Sequence, residues 1–272
     1  MLEGIQLLPC DYTVNGTAAT YWGDVDRFDG HAFYESLRKG SVVKTSLLNT
    51  QLFLSRFAPI LTQGLDIIYI SMSSGISGTY NAATIAAQEL TELYSRRFIH
   101  IVDSLGCGFG NGLLAIRAAA LSRQGVPARE AAAILDAEVP HTCQYFTVDD
   151  LNFLKNTGRV SGMTAKIATV LNIKPVLQIQ GGKLDTYKKV RGLHAAQNTM
   201  LDAIRKDLET RFADMPMLLR TAYTGDASMG KAWNAQVQER FPDFNVTGDP
   251  LPISISCHVG PKVIALGLIK KI

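Results

Sequence analysis

No stretch of this chain approaches the roughly 18 consecutive apolar residues of a membrane-spanning helix. Its start also lacks a basic-then-apolar leader. Cysteine is scarce: Cys10, Cys107, Cys143 and Cys257 are scattered without C-x-x-C spacing, and the five histidines form no H-x-x-x-H pattern. A disulfide framework and a structural metal are therefore not expected, and free thiols in a reducing compartment fit better. Basic residues never run beyond two in succession and the net charge is only +3, which argues against nucleic-acid binding. Neither G-x-x-x-x-G-K-[ST] nor G-x-G-x-x-G occurs, so no nucleotide or other cofactor is expected. These absences leave a soluble, cytoplasmic protein without stable membrane insertion.

What the 272 residues do contain is apolar content for one large or two modest domains. The most informative stretch is Ser73-Ser74-Gly75-Ile76-Ser77-Gly78-Thr79-Tyr80. The apolar, β-branched run Leu65–Met72 before it reads as a buried strand, and the small-residue run Asn81–Leu90 after it reads as a helix. A strand that turns through Gly and Ser into a helix offers free backbone N–H groups, a positive helix end and hydroxyls to an oxyanion. The simpler reading is a βα loop with Ser77 or Thr79 as helix cap.

Two other segments end in similar chemistry. Val42–Ser46 reads as a short strand ending at Thr45 and Ser46; a helix follows with Phe53, Phe57, Ile60 and Leu61 on one face and Asn49 or Thr50 as cap. In Pro252–Pro261, Ile253, Ile255 and Cys257 alternate with Ser254 and Ser256, which predicts a strand with His258 at its carboxyl end. Gly260-Pro261 would then open a last helix over Lys262–Ile269. Ligands of open α/β sheets bind beyond the carboxyl ends of strands. Thr45, Ser74 and His258 are thus candidates for one site.

Taken together, Thr45-Ser46, Ser73–Tyr80, Gly158-Arg159-Val160-Ser161, Leu171-Asn172-Ile173-Lys174-Pro175, Lys189-Val190-Arg191-Gly192 and His258-Val259-Gly260-Pro261 resemble the ordered signature of the DegV family. That family binds long-chain fatty acids and includes the carrier subunits of bacterial fatty acid kinase. The resemblance implies that Thr45, Ser74 and His258 contact a fatty-acid carboxylate, helped by the backbone at Gly75, with Ser46 and Ser73 close by. It also implies that Arg159 and Arg191 lie near the mouth of that site and engage a separate kinase subunit or the acyl phosphate. The family normally opens on a strand bearing an Asp-Ser pair. Here Met1–Pro9 looks like the family's second strand, and Asp11–Thr17 reads as a strand and turn.

The expected fold is α/β and two-lobed. A parallel, helix-covered sheet occupies residues 1–140, a second α/β domain with a mixed or antiparallel sheet occupies 141–272, and the ligand cleft lies between them. Phe98–Ser104 reads as a strand leading to Gly106, Gly108, Gly110 and Gly112, whose spacing suggests close backbone approach. Ala128–Ala137 reads as a helix after Pro127. In the second domain the expected order is strand Cys143–Val148, a short helix to Asn156 capped by Asp149 or Asp150, and a hairpin of Ile173–Gln180 and Lys183–Val190 joined by Gly181-Gly182. Helix Leu193–Leu208, strand Met217–Tyr223, helix Ala227–Arg240 and strand Phe244–Thr247 follow. Leu113, Leu114, Ile167 and Leu266 could line an acyl tunnel, although core packing is their simpler role.

The function implied is that of a carrier: it holds the fatty acid noncovalently and presents the carboxylate to the kinase subunit without catalysing anything itself. One alternative is an acyl hydrolase or transferase with Ser74 as nucleophile and His258 as base. The loop lacks G-x-S-x-G and shows no orienting acid. Another alternative is a lipid-sensing regulator.

Overall fold

The computed structural model describes residues 4–23, 30–159 and 172–271. Val160, Ser161, Ile167 and Leu171 lie outside the described residues. The chain opens on a hairpin of β1 (Cys10–Val14) and β2 (Thr17–Tyr21). Asn15 and Gly16 form its turn, both at positive φ, as a two-residue hairpin loop requires. Helix α1 (Gly30–Arg38) follows, and β3 (Val43–Thr45) then returns to pair antiparallel with β1, giving the order β2-β1-β3.

Helix α2 (Thr50–Thr62) begins at Asn49, whose side chain accepts the Leu52 N–H at 2.9 Å. Strands β4 (Ile67–Ser71) and β5 (Ile99–Asp103) form a parallel pair. Helices cover both its faces. On one, α2 and α3 (Thr79–Leu93) pack Phe53, Phe57, Leu61, Ala83 and Ala86. On the other, α4 (Phe109–Arg123) and α5 (Ala128–Glu138) pack Leu114, Leu121, Ala131 and Leu135 around Val102. The helix-covered parallel pairing expected for this half is present between β4 and β5, whereas β3 joins the hairpin. Gly78 occupies the cap of α3, and the Ser77 hydroxyl accepts the Thr79 N–H beside it.

The larger sheet has six strands in the order β10-β9-β11-β6-β7-β8. They are β6 (Thr142–Val148), β7 (Ile173–Gln180), β8 (Lys183–Arg191), β9 (Met217–Tyr223), β10 (Thr247–Pro250) and β11 (Val263–Lys270). Only β9 and β10 pair in parallel, so the sheet is mixed as expected. Helices α7 (Leu193–Glu209) and α8 (Ala227–Arg240) cover one face, burying Met200, Ile204, Trp233 and Val237. Short helices α6 (Asn152–Asn156) and α9 (Ile253–Val259) lie on the other, with Leu154, Ile255 and Val259 against Phe146 and Ala265. The Asp150 carboxylate accepts the Asn152 N–H at the start of α6.

Three expected elements differ. Ile253–Cys257 is helix α9, not a strand: Ile253 and Cys257 face one core while Ile255 and Val259 face another. With both sides buried, residues four apart share a face, and the alternation Ile-Ser-Ile-Ser-Cys fits helix and strand equally well. Gly260, at φ +86°, ends α9 rather than opening a helix. Val263–Lys270 is the strand β11, buried on both faces between β9 and β6. Ile264, Leu266 and Leu268 point to one core and Val263 and Ala265 to the other, so a continuous apolar run hides a period of two. A Cβ at Gly267 would lie 2.2 Å from the Cys143 carbonyl, so only glycine lets β6 approach. The strand expected at Phe244–Thr247 begins only at Thr247.

Trp233 is 1% exposed and its indole N–H donates to the Ala265 carbonyl at 2.9 Å, joining α8 to the central strand. Trp233→Ala is expected to cost about 3–5 kcal/mol. Urea unfolding followed by circular dichroism will read this as a lowered midpoint.

Candidate functional site

A cavity of about 370 Å³ lies where the first-half loops meet the large sheet. Its walls come from both halves of the chain, among them Tyr69, Ile70 and Met72 on one side and Phe146, Ile179 and Leu184 on the other. The polar part of the lining includes Thr45, Ser46, Ser77, Thr79, Arg159, Ser254 and His258.

Each polar group has a local reason for its place. Thr45 ends β3, opposite Tyr12, and the Ser46 N–H donates to the Asp11 carbonyl at 2.8 Å. Ser77 and Thr79 sit at the start of α3, with their hydroxyl oxygens 3.0 Å apart. The positive end of that 15-residue helix therefore faces the cavity. Ser254 and His258 are one turn apart on α9. His258 Nε2 lies 3.0 Å from Thr45 Oγ1, across 213 residues of sequence.

Burial, with the Arg159 guanidinium adding to it, pushes the His258 pKa down from 6.5 to about 4. The ring is therefore neutral near pH 7. Its Nδ1 is buried without a hydrogen-bond partner. Buried N–H groups left without a partner are rarer in folded proteins than under-satisfied acceptors. The proton therefore belongs on Nε2, which donates to Thr45 Oγ1. Thr45 is left with its own O–H to give to a ligand. Hydroxyl donors, a helix N-terminus and Arg159 make this region suited to a carboxylate.

The expected site residues separate into groups. Thr45, Ser46, Arg159 and His258 line the cavity. Ser74 does not: it is exposed, and its backbone N–H donates to Asp103 Oδ1 at 3.1 Å. Ser73 is buried, and its hydroxyl donates to the Gly182 carbonyl at 2.5 Å, tying this loop to the β7–β8 turn. Gly75 packs on the same turn, since a Cβ there would lie 2.5 Å from the Gly182 carbonyl oxygen. Ser73 and Gly75 thus shape the wall from behind, and the hydroxyl residues of this loop that line the cavity are Ser77 and Thr79. The sequence offered Ser77 as a helix cap; in the structure it follows a turn over residues 74–76 in which the Ser73 carbonyl accepts the Ile76 and Ser77 N–H groups, each at 3.0 Å. Arg191, exposed at the end of β8, is outside the lining. Leu114 and Leu266 are buried in helix and sheet cores, and neither they nor Leu113 reaches the cavity.

The same geometry bears on a nucleophilic role for Ser74. His258 meets Thr45 and not Ser74, its Nδ1 has no orienting carboxylate, and its depressed pKa makes it a weak base. Two thiols reach the cavity, but burial holds Cys10 up at about 11 and Cys107 at about 12, so both stay protonated. All four cysteines are free. Among the described residues, no three His, Cys, Asp or Glu side chains gather as metal ligands. No helix among them is long and apolar enough to cross a membrane.

The glycines after β5 make the close approaches that their spacing suggested. A Cβ at Gly106 or Gly110 would lie within 2.9 or 3.1 Å of the Gln144 amide, and one at Gly108 would lie 3.1 Å from Leu251. Gly112 alone has open space.

Comparison with known proteins bears on this arrangement. Residues 2–271 match the family described as "Uncharacterised protein, DegV family". A DegV domain-containing protein of Clostridium perfringens is 32% identical over 237 residues, covering 86% of this chain and 80% of its own. A crystal structure of a stearic acid-binding protein from Eubacterium ventriosum superposes with a TM-score of 0.82 at 25% identity, covering 97% of this chain and 90% of that one. A DegV family protein from Thermus thermophilus, described by its fatty acid binding, gives a TM-score of 0.83 at 24% identity with 97% and 91% coverage.

The state of His258 has a consequence for stability. In the unfolded chain the ring takes up a proton near pH 6.5, whereas the native chain resists it until about pH 4. Between these values the unfolded state binds more protons, so stability rises with pH. The contribution is complete above pH 6.5 and is lost as the pH falls from there through 4. Urea midpoints of wild type and His258→Asn measured across this window are expected to converge toward acid. Parallel curves would place the native His258 pKa at its ordinary value.

Proposed function

We propose, starting from the fact that this chain belongs to the DegV family, that it binds a long-chain fatty acid noncovalently in the cavity between its two halves. The observation that carries the reading is the Thr45–His258 pair in the wall of a mostly apolar cavity. Burying a carboxylate is unfavourable unless several donors surround it. Thr45, Ser46, Ser77 and Thr79 supply hydroxyls, and Arg159 supplies charge. An acyl tail of roughly 16 carbons contributes about 0.8 kcal/mol per buried CH₂, over 10 kcal/mol before ordering costs. The cavity volume of about 370 Å³ falls within the usual range for small-molecule sites.

In the finer form of this proposal the protein is a carrier. It presents the carboxylate to a separate ATP-dependent kinase subunit, which forms the acyl phosphate. Arg159 supports this step, because a guanidinium beside the carboxylate also matches a phosphate dianion. Arg191, exposed at the end of β8, is available to a docking partner. In this reading residues 1–140 and 141–272 are the two domains that contribute the walls of the cavity.

Native and then denaturing mass spectrometry of protein purified from a bacterial host tests the binding. A mass excess equal to one fatty acid, lost on denaturation, is the expected result, and an apo mass after incubation with fatty acid would refute it. Thr45→Ala, Ser77→Ala and His258→Ala are each expected to weaken fatty-acid affinity roughly ten-fold or more, while Ser74→Ala stays within about two-fold of wild type. For the carrier step, loaded protein is mixed with ATP and an extract of the source organism, and hydroxylamine traps any acyl phosphate. Acyl hydroxamate should form only with both additions, and less of it with Arg159→Ala.

A further inference from the structure

The lining of the cavity stops at one level of the large sheet. Along β11, Val263, Ala265 and Gly267 stand on the same face, and the first two line the cavity while Gly267 does not. Opposite them on β6 the lining includes Phe146, the partner of Ala265, and Gln144, the partner of Gly267, but the next pair on this face, Thr142 and Ile269, is outside it. Gln144 is held in place: its amide N–H donates to the Cys107 carbonyl at 2.7 Å, and its oxygen accepts the Cys107 N–H at 3.0 Å. Gly267 is covered by Phe109. A Cβ at Gly267 would lie 2.9 Å from Cε2 and Cζ of that ring, so the ring edge rests on bare backbone. Phe109 itself is half-buried and lines the cavity.

This level is remote from the Thr45–His258 pair. His258 lies in the last turn of α9, shortly before Val263, and Gly267 is about 13 Å beyond Val263 along β11. Helix α9 leads the same way. Leu251 and Ile255, both ahead of His258 in the chain, approach Gly108, where a Cβ would lie 3.1 and 3.3 Å from them. Gly108 is the cap of α4, which Phe109 opens.

We propose that Phe109 is the floor of the acyl site and sets the length of chain that it takes. This rests on the fatty-acid reading above and narrows its substrate class to acids whose methyl end stops at the ring. Each methylene buried above the ring raises affinity about four-fold. A chain that is too long has to push the ring off Gly267, and the backbone behind it leaves nowhere for the ring to go. Phe109 is thus a specificity-determining residue, seated by a glycine that sequence alone gives no reason to connect with it.

The test is a competition on the delipidated full-length protein among straight-chain saturated acids from lauric to behenic, read by native mass spectrometry. Wild type is expected to gain about four-fold in affinity per added methylene up to one optimal length and to lose affinity beyond it. Phe109→Ala uncovers Gly267, two residues past Ala265, and should move the optimum to chains longer by roughly two to five carbons. Phe109→Trp should move it to shorter ones, and Phe109→Leu replaces the alanine variant if that folds poorly. A merely structural role for the ring would lower affinity at all lengths alike and leave the optimum in place. If wild type binds the acids and the optimum stays fixed in the variants, the floor inference fails and fatty-acid binding stands. If wild type takes up no acid of any length, both readings fail.

Discussion

Helix α9 is held between two cores, and the site depends on that placement. Ile253 and Cys257 pack on Phe33, Leu37 and Val43 of the first half. Ile255 and Val259 pack on the large sheet. The Tyr34 hydroxyl meets Ser256 Oγ at 2.9 Å and fixes the helix along its axis. His258 can reach Thr45 only because both packings are made together. The burial that holds α9 also keeps His258 neutral, so that it donates to Thr45 without carrying a charge into an apolar wall.

Other polar contacts close the cavity in the same manner. The Ser73 hydroxyl reaches the Gly182 carbonyl in the β7–β8 turn, and the Gln144 amide clasps the Cys107 backbone after β5. Each joins a loop at the carboxyl end of the β4–β5 pair to the large sheet. No single element encloses the cavity. Its walls exist because two sets of strand-end loops face one another, and glycines at 75, 106, 110 and 182 let the backbones come close enough. A Cβ at any of these positions would crowd the facing Gly182 carbonyl, Gln144 amide or Ser73 hydroxyl.

Much of the fold was legible in the chain. Strands β4 to β8, helices α2 to α5, α7 and α8, and the Gly-Gly hairpin follow from apolar periodicity and turn residues. The mistakes at α9 and β11 share one cause. Both segments are buried on two sides, so the polar face that distinguishes a period of 2 from one of 3.6 is missing. At Ser73–Thr79 the expectation was an oxyanion loop with Ser74 at the ligand, and Ser74 lies outside the cavity lining. Four hydroxyl residues lie within seven positions there, and the sequence alone does not say that Ser77 lines the cavity while Ser74 is exposed beside the Gly75–Gly182 contact.

The amino-acid sequence by itself determined the α/β class and the family to which the chain belongs, and it singled out Thr45, Arg159 and His258, which line the cavity, because each of these is written in local pattern and residue type. The tertiary structure decided that Ser77 and Thr79 line the cavity with Thr45 and His258 while Ser74 does not, that β3 pairs with the opening hairpin, and that Ile253–Val259 is a helix. Those outcomes depend on contacts between residues tens to hundreds of positions apart. Only the packed chain, in which burial sets the cost of every unpaired polar group, selects among them.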